Sequence, residues 1–182
     1  MGPIQLALTE ESIPSSLEER ITRIEDRIAI HDLIVKYAIF ADERQWESLL
    51  AMYTDDVERQ LAGTLAESVV GKDKLRELYN DPKLPRRTEK DGKAPSASEL
   101  EKLGLKHMLS TDIIRLSDDG LSAEALVYYT MVATRGDGAD MQRGVHDGIL
   151  RFGFRKQADA WLICRLAIES NNAANPLFRA EA

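Results

Sequence analysis

Histidine side chains are the scarcest candidates for acid–base chemistry in this sequence, which contains three of them in 182 residues. Histidine can take up or release a proton near neutral pH. His107 and His146 fall in segments with the alternating pattern of β-strands, whereas His31 falls in a helical pattern. We expect His31 to pack or to lie at the surface, and we treat His107 and His146 as candidate pocket residues. The alternatives are a hydrogen-bonded histidine at the end of a strand for His107 and a core histidine bonded to the backbone for His146.

Strand alternation predicts which residues surround these two histidines, because every second residue of a strand lies on the same face. The residues predicted to share the face of His107 are Leu109, Thr111 and Ile113. The predicted row of His146 continues with Gly148, Leu150, Phe152 and Phe154. Both faces are largely apolar, and the missing side chain of Gly148 is consistent with a cavity that a ligand fills. A neutral imidazole on such a face can act as a general base.

Asp42 stands out among the many acidic residues because it lies at the junction of two predicted helices. A short carboxylate at this place could cap the second helix. It could instead accept the Nδ1–H of a histidine, which leaves Nε2 free to act as a base. The residues alone leave both interpretations open.

The elements that must position these residues fall into two groups. Helical spacing predicts a long helix over about 17–41, opened by the capping-box pair Ser16 and Glu19. The further predicted elements are a short helix over 46–53, two short strands within 57–70 around Ala62-Gly63, a helix after Gly71, and strands over 107–116, 121–134, 143–155 and 160–169. Turns at hairpin spacing predict an antiparallel sheet. Helices followed by such strands indicate the α+β class, with helices on one face of a curved sheet.

The long helix carries a run of apolar residues at spacings of three and four, which we interpret as one buried stripe. This stripe consists of Leu17, Ile21, Ile24, Ile28, Ile34, Tyr37, Ala38 and Ala41. The chain length predicts a single domain, which we place at 16–170. We expect a flexible arm at 1–15, a tail at 171–182 and an insertion loop at 80–104 that contains three prolines.

Composition excludes several classes of protein. The net charge of −7, from 24 basic and 31 acidic residues, argues against a nucleic-acid-binding protein, which needs a basic face. No apolar run approaches the length of about 18 residues that spans a membrane. The single cysteine excludes a disulfide framework within one chain. A cytoplasmic location fits these features best.

The segment 24–57 resembles the opening of SnoaL-like proteins of the nuclear-transport-factor-2-like superfamily. Its helix ends in Tyr37, four further residues and Asp42, and three polar residues and Trp46 follow. The motifs that extend the resemblance are Tyr53-Thr54-Asp55-Asp56-Val57, Val70-Gly71-Lys72, Lys106-His107 and Trp161-Leu162-Ile163. The likeness covers about residues 20–170 and implies a cone-shaped curved antiparallel sheet, or α+β barrel, wrapped around N-terminal helices.

The same resemblance implies a set of functional residues. Tyr37, Asp42 and His107 look like the site of the subset that holds scytalone dehydratase, hexachlorocyclohexane dehydrochlorinase and bile-acid 7α-dehydratase. In that subset the aspartate orients the histidine, the histidine removes a proton, and the tyrosine polarises the substrate or leaving group. The residues expected to line the substrate pocket are His146, Trp46, Tyr53, Tyr129, Met131 and Leu150.

The implied activity is a cofactor-independent, metal-free elimination of the dehydratase type on a hydrophobic cyclic or aromatic small molecule. The alternatives are an isomerase or cyclase, a retro-aldol lyase, a non-catalytic ligand-binding protein, or a small subunit of a ring-hydroxylating dioxygenase. The group that protonates the leaving group stays unassigned, with Tyr37 and His146 as candidates. Relatives cover the outer face of the open sheet by self-association, so a homodimer or homotrimer is expected.

Overall fold

The structure is a computed structural model that describes residues 16–61, 68–80, 103–135, 139 and 141–170. The expected arm at 1–15, the expected tail at 171–182 and most of the expected loop at 80–104 lie outside these residues. The described elements in chain order are α1 (Leu17–Asp42), α2 (Trp46–Ala51), β1 (Tyr53–Leu61), β2 (Ser68–Val70), α3 (Lys72–Asn80), β3 (Leu103–Leu116), β4 (Ser122–Arg135), β5 (Gln142–Gln157) and β6 (Ala160–Ser170).

The six strands form one curved sheet in the order β2-β1-β6-β5-β4-β3. The run from β3 to β6 is an antiparallel meander, which confirms the strands predicted from turns and alternation. The sheet is open rather than closed, and it is mixed, because β1 pairs with β6 in the parallel direction. The α+β class is confirmed, but the expectation of antiparallel pairing throughout is wrong at this pair. Hairpin spacing predicts the direction of pairing only for strands that follow one another along the chain. β1 and β6 are not consecutive, so this signal does not apply to them.

The first helix begins and ends close to the predicted positions. The hydroxyl oxygen of Ser16 accepts the backbone N–H of Glu19 at 3.1 Å, so Ser16 is the N-cap. Arg44 has a φ of 53°, a left-handed conformation that turns the chain out of the helix directly after Asp42. This turn sends the chain into α2.

Only part of the predicted apolar stripe of α1 is buried. Leu17, Ile21, Ile24 and Ile28 are between 47% and 71% exposed, so the expectation of burial is wrong for the first half of the helix. The buried residues of α1 are Asp26, Ile30, Ile34, Tyr37, Ala38 and Ala41. Because each residue rotates about 100° around a helix axis, these residues and the exposed isoleucines lie on opposite sides. The helix has two apolar faces, and the sheet covers one of them.

Asp26 ties the buried face of α1 to the far end of the sheet. Its Oδ1 accepts the indole N–H of Trp161 at 2.7 Å and the ammonium group of Lys156 at 2.8 Å. These bonds join the early turns of α1 to the hairpin between β5 and β6. They fix the position of the helix that carries Tyr37 and Asp42 further along.

The chain after α2 enters a strand earlier than predicted. Tyr53 was expected in the short helix, but it begins β1, and the backbone N–H of Ile163 in β6 donates to the carbonyl of Met52 at 2.8 Å. The spacing of Trp46, Leu49, Leu50 and Tyr53 fits a helix equally well. Pairing with β6, which the local sequence does not encode, decides in favour of the strand.

A β-bulge interrupts β3 between Ser110 and Asp112. Before the bulge, His107 and Leu109 share the inner face, and after it the buried positions are Ile114 and Leu116. The expectation that Ile113 lies on the His107 face is therefore wrong, because the extra residue of a bulge reverses the alternation. The side chain of Thr111 lies outside the described set.

Candidate active site

His107 and Asp42 meet at the junction of β3 and the end of α1. His107 Nδ1 lies 2.6 Å from Asp42 Oδ1, and their side chains are only 10% and 8% exposed. The backbone N–H of His107 also donates to both carboxylate oxygens, at 3.1 and 3.0 Å. Asp42 thus holds the ring and the main chain of the same residue. With Nδ1–H donating to the carboxylate, the lone pair of the neutral ring lies on Nε2, for which no described residue is a hydrogen-bond partner.

This geometry decides between the two interpretations of Asp42. The N-cap of α2 is Gln45, whose side chain makes no capping hydrogen bond. The carboxylate of Asp42 is directed at His107 instead. The capping interpretation is wrong, and the sequence position of Asp42 reflects a long-range contact.

Tyr37 lies next to the pair on α1. Its ring centroid is 6.4 Å from that of His107 and 5.4 Å from that of Phe152, in edge-to-face contacts. Burial raises the pKa of Tyr37 to about 12, and the guanidinium of Arg59 opposes part of this shift. The hydroxyl group is therefore protonated at neutral pH and can donate a hydrogen bond.

His146 lies across the inner face from His107. Cross-strand pairing places Met131 between the two histidines, with His107 on one side and His146 on the other. His146 Nδ1 lies 3.4 Å from the hydroxyl of Tyr129, and its Nε2 contacts the hydroxyl of Ser170. The pKa of His146 is lowered by burial, with a smaller effect of His107 in the same direction and an opposing effect of Asp147. Neutral His146 is thus a hydrogen-bonding group rather than a charged acid.

Ser170 was missed in the sequence, although it lies next to the candidate histidine. It pairs with Gly148 at the end of β6. A Cβ atom at Gly148 would lie 1.9 Å from the carbonyl oxygen of Glu169. The space expected for a ligand at Gly148 is therefore filled by the backbone of β6, and that expectation is wrong.

The remaining predicted pocket residues lie in three different places. Met131 and Tyr129 lie beside the histidines. Leu150 is buried in the core of the sheet. Tyr53 is fully buried, and Trp46 stacks on Tyr79 with ring centroids 5.0 Å apart. Trp46 and Tyr53 thus belong to a second cluster.

This second cluster contains Arg59, which was also missed in the sequence. Its Nη1 donates to the Tyr79 hydroxyl at 2.7 Å, and its guanidinium carbon lies 5.2 Å from the centre of that ring. Arg59 pairs with the buried Leu166 of β6, on the inner face of the sheet. The alternation of Val57, Arg59 and Leu61 along a strand was the signal that could have revealed it.

His31 forms a second histidine–aspartate pair in a different setting. Its Nδ1 lies 2.7 Å from Asp112 Oδ2, but the two side chains are 56% and 30% exposed. The chain therefore offers the same contact once in the interior and once at the surface. Within the described ranges, no group of three or more histidine, cysteine or carboxylate side chains could hold a metal ion, and no helix could cross a membrane.

A family model of the SnoaL-like domain matches residues 22–167 of the sequence. No protein with a curated description matches it. Many solved structures share the fold. A candidate scytalone dehydratase from Novosphingobium aromaticivorans has a TM-score of 0.64 and 18% identity, and the match covers 89% of this chain and 99% of that one.

Two further structures are similar to the same extent. An NTF2-like protein with a cystatin-like fold, also from Novosphingobium aromaticivorans, has a TM-score of 0.62 and 20% identity, with 94% of this chain and all 100% of that chain covered. A hexachlorocyclohexane dehydrochlorinase from Novosphingobium barchaimii has a TM-score of 0.62 and 16% identity, with 84% and 90% covered. At such identities the likeness shows the fold alone.

Proposed function

The chain belongs to the SnoaL-like domain family, and from this premise we propose that it is a small-molecule lyase or isomerase that works by proton transfer at His107. The reaction we favour is a cofactor-independent elimination of the dehydratase type on a cyclic or aromatic substrate. A candidate scytalone dehydratase and a dehydrochlorinase are among the proteins with this fold.

In the proposed mechanism, Nε2 of His107 takes a proton from a carbon next to a carbonyl or phenol group. The electrons of the broken C–H bond form a carbon–carbon double bond while the bond to a hydroxyl leaving group breaks. Asp42 stabilises the imidazolium that forms. The imidazolium gives this proton, directly or through a neighbouring group, to the leaving hydroxide, which departs as water, and His107 is neutral again. Tyr37 donates a hydrogen bond to the carbonyl or to the departing oxygen.

The observation that carries the proposal is the 2.6 Å contact between two nearly buried side chains. A charge pair removed from water interacts more strongly than an exposed one. The nearly buried carboxylate of Asp42 therefore interacts more strongly with an imidazolium formed during the reaction than the exposed carboxylate beside His31 would. The second histidine–aspartate pair is a natural control within the same molecule.

The test compares His107→Ala with His31→Ala in a solvent-deuterium exchange and product assay on a panel of cyclic ketones and hydroxylated phenols. We expect His107→Ala to lower the rate by about a hundredfold to ten-thousandfold, as for a lost general base. We expect His31→Ala to keep the wild-type rate. Circular dichroism checks that both variants fold. Wild-type exchange in His107→Ala would exclude the mechanism.

Isomerisation and retro-aldol cleavage would begin with the same proton transfer. Mass spectrometry of the product separates the three outcomes, since elimination alone removes the mass of water or of another leaving group. A non-catalytic binding protein would bind the ligands, but no deuterium exchange would occur in the wild type or in either variant. A small subunit of a dioxygenase would co-purify with a larger iron–sulfur partner.

We also propose that the chain self-associates through the outer face of the sheet. Three large apolar side chains of β3, β4 and β5, namely Met108, Tyr128 and Val145, are exposed there. Burial of such residues against a second copy would remove apolar surface from water.

A further inference from the structure

Three buried hydrogen-bond donors around Tyr79 have no partner among the described residues. The Nε of Arg59, the indole Nε1 of Trp46 and the hydroxyl of Tyr53 are buried, and none makes a hydrogen bond with the described residues. The Tyr53 hydroxyl lies near that of Tyr79 but completes no hydrogen bond of its own. Buried polar groups are nearly always paired, so an unpaired set in one place calls for an explanation.

Arg59 is the unusual member of this set because of its charge. Arg151 and Arg155 both pair with carboxylates, Glu169 at 2.8 Å and Asp56 at 3.0 Å. No described carboxylate pairs with Arg59, whose hydrogen-bond acceptor is the Tyr79 hydroxyl. Burial alone would lower the pKa of Arg59, but the tyrosine hydroxyls around it outweigh this effect and raise the pKa. The guanidinium is therefore charged at every physiological pH.

The site around Arg59 borders the proposed catalytic pair. The guanidinium of Arg59 lies close enough to the Tyr37 hydroxyl to oppose the rise of its pKa, and the ring of Tyr37 packs edge-to-face near the ring of His107. Tyr37 is thus a neighbour of both groups. Arg59 is half-buried as a residue, whereas its Nε is fully buried.

We propose that Arg59, with Trp46 and Tyr53, binds a carboxylate group of the substrate, an inference that rests on the proposed function and narrows its substrate class. A guanidinium presents parallel N–H groups that match the two oxygens of a carboxylate. The indole N–H and the tyrosine hydroxyl supply further donors. The ring of Trp46, which is half-buried and stacks on the buried ring of Tyr79, offers an apolar surface that suits a ring attached to that carboxylate.

The test measures binding rather than turnover. The probes are benzoate, 4-hydroxybenzoate and cyclohexanecarboxylate, each compared with its methyl ester by isothermal titration calorimetry on the full chain. We expect at least one acid to bind about tenfold to a hundredfold more tightly than its ester, as for hydrogen bonds to a charged group. We expect Arg59→Met to remove this preference and leave ester binding in place. Arg155→Met, which removes an exposed arginine, is the matched control and keeps the preference.

The wild-type comparison needs no variant, so the test stands even if Arg59→Met fails to fold. Equal affinity for acid and ester, no binding by any acid, or a preference that survives in Arg59→Met would overturn the inference. His107→Ala should keep the preference for acids, since the binding site does not include the histidine. If acids bind but no substrate exchanges, the proposed function fails and the carboxylate site stands. If exchange occurs on neutral ketones with no preference for acids, only the carboxylate site fails.

Discussion

At the scale of single residues, the setting of a side chain decides its chemistry more than its type does. His31 and His107 make the same contact with a carboxylate, but one pair is exposed and the other is nearly buried. His146 has hydroxyl groups at both ring nitrogens, those of Tyr129 and Ser170. The three histidines thus have three different environments, and only that of His107 combines a buried carboxylate with a free ring nitrogen.

The lowered pKa of His146 predicts a loss of stability in mild acid. The pKa of a histidine in an unfolded chain is 6.5, and burial lowers the pKa of His146 in the folded chain below this value. As the pH falls below about 6.5, the unfolded state takes up this proton first, so the folded state loses stability. Urea unfolding at pH 7.5 and pH 5.5 should show a smaller loss for His146→Asn than for the wild type. Equal losses in the two proteins would contradict the prediction.

At the scale of elements, the approach of β5 to β6 sets the geometry around His146. At Gly148, a Cβ atom would meet the backbone of Glu169 at 1.9 Å, whereas at Gly153 the nearest atom is the Cβ of Arg165 at 3.0 Å. The two glycines lie on the same strand but differ in the space beside them. Ser170, the partner of His146, lies next to the tighter of the two positions.

Gly148→Ala should therefore be more damaging than Gly153→Ala. The strands must move apart at Gly148, and overpacking of this kind costs about 1–3 kcal/mol. At Gly153 the neighbouring side chain must give way by only a few tenths of an ångström. Denaturant unfolding of both variants measures the difference in the free energy of unfolding. A larger loss for Gly153→Ala would show that the close approach at Gly148 is not the limiting contact.

The elements also show which parts of the fold could be predicted from the sequence. Turns and alternation predicted β3 to β6 because these strands follow one another along the chain. No sequence pattern predicted the bulge after Ser110, since the residues 111–114 fit a strand with or without a change of face. The contact between Asp42 and His107 was anticipated through the family resemblance, whereas spacing alone left capping open. Arg59 was overlooked because its neighbours, Tyr37 and Tyr79, come from elements far from it in the chain.

At the scale of the whole molecule, apolar side chains remain exposed on two surfaces. One is the outer face of the sheet at Met108, Tyr128 and Val145, and the other is the exposed side of α1 at Ile24 and Ile28. Exposed patches of this kind mark association sites in many proteins. The expectation of a homodimer or homotrimer was tied to the sheet, and nothing in the sequence singled out the exposed helix face.

Self-association through the sheet predicts that charged substitutions there reduce the mass of the particle. We expect the double variant Tyr128→Lys and Val145→Lys to sediment as a single chain in analytical ultracentrifugation, and the wild type as two or three chains. The double variant Ile24→Lys and Ile28→Lys is the control for a general effect of added charge. If only the helix variant dissociates, the interface lies on α1 and not on the sheet. If the wild type sediments with the mass of a single chain, self-association is excluded.

The parallel pairing of β1 with β6 has a consequence for the order in which the molecule can form during synthesis. Residues 53–61 leave the ribosome long before residues 160–170, yet each completes the other's hydrogen bonds. Contacts this distant in the chain slow folding. Asp42 and His107 can meet while translation continues, but the strand that carries Arg59 gains its partner only when β6 emerges. A nascent chain halted before β6 would thus carry the paired acid and imidazole beside an unfinished, exposed seam, a form suited to capture by chaperones.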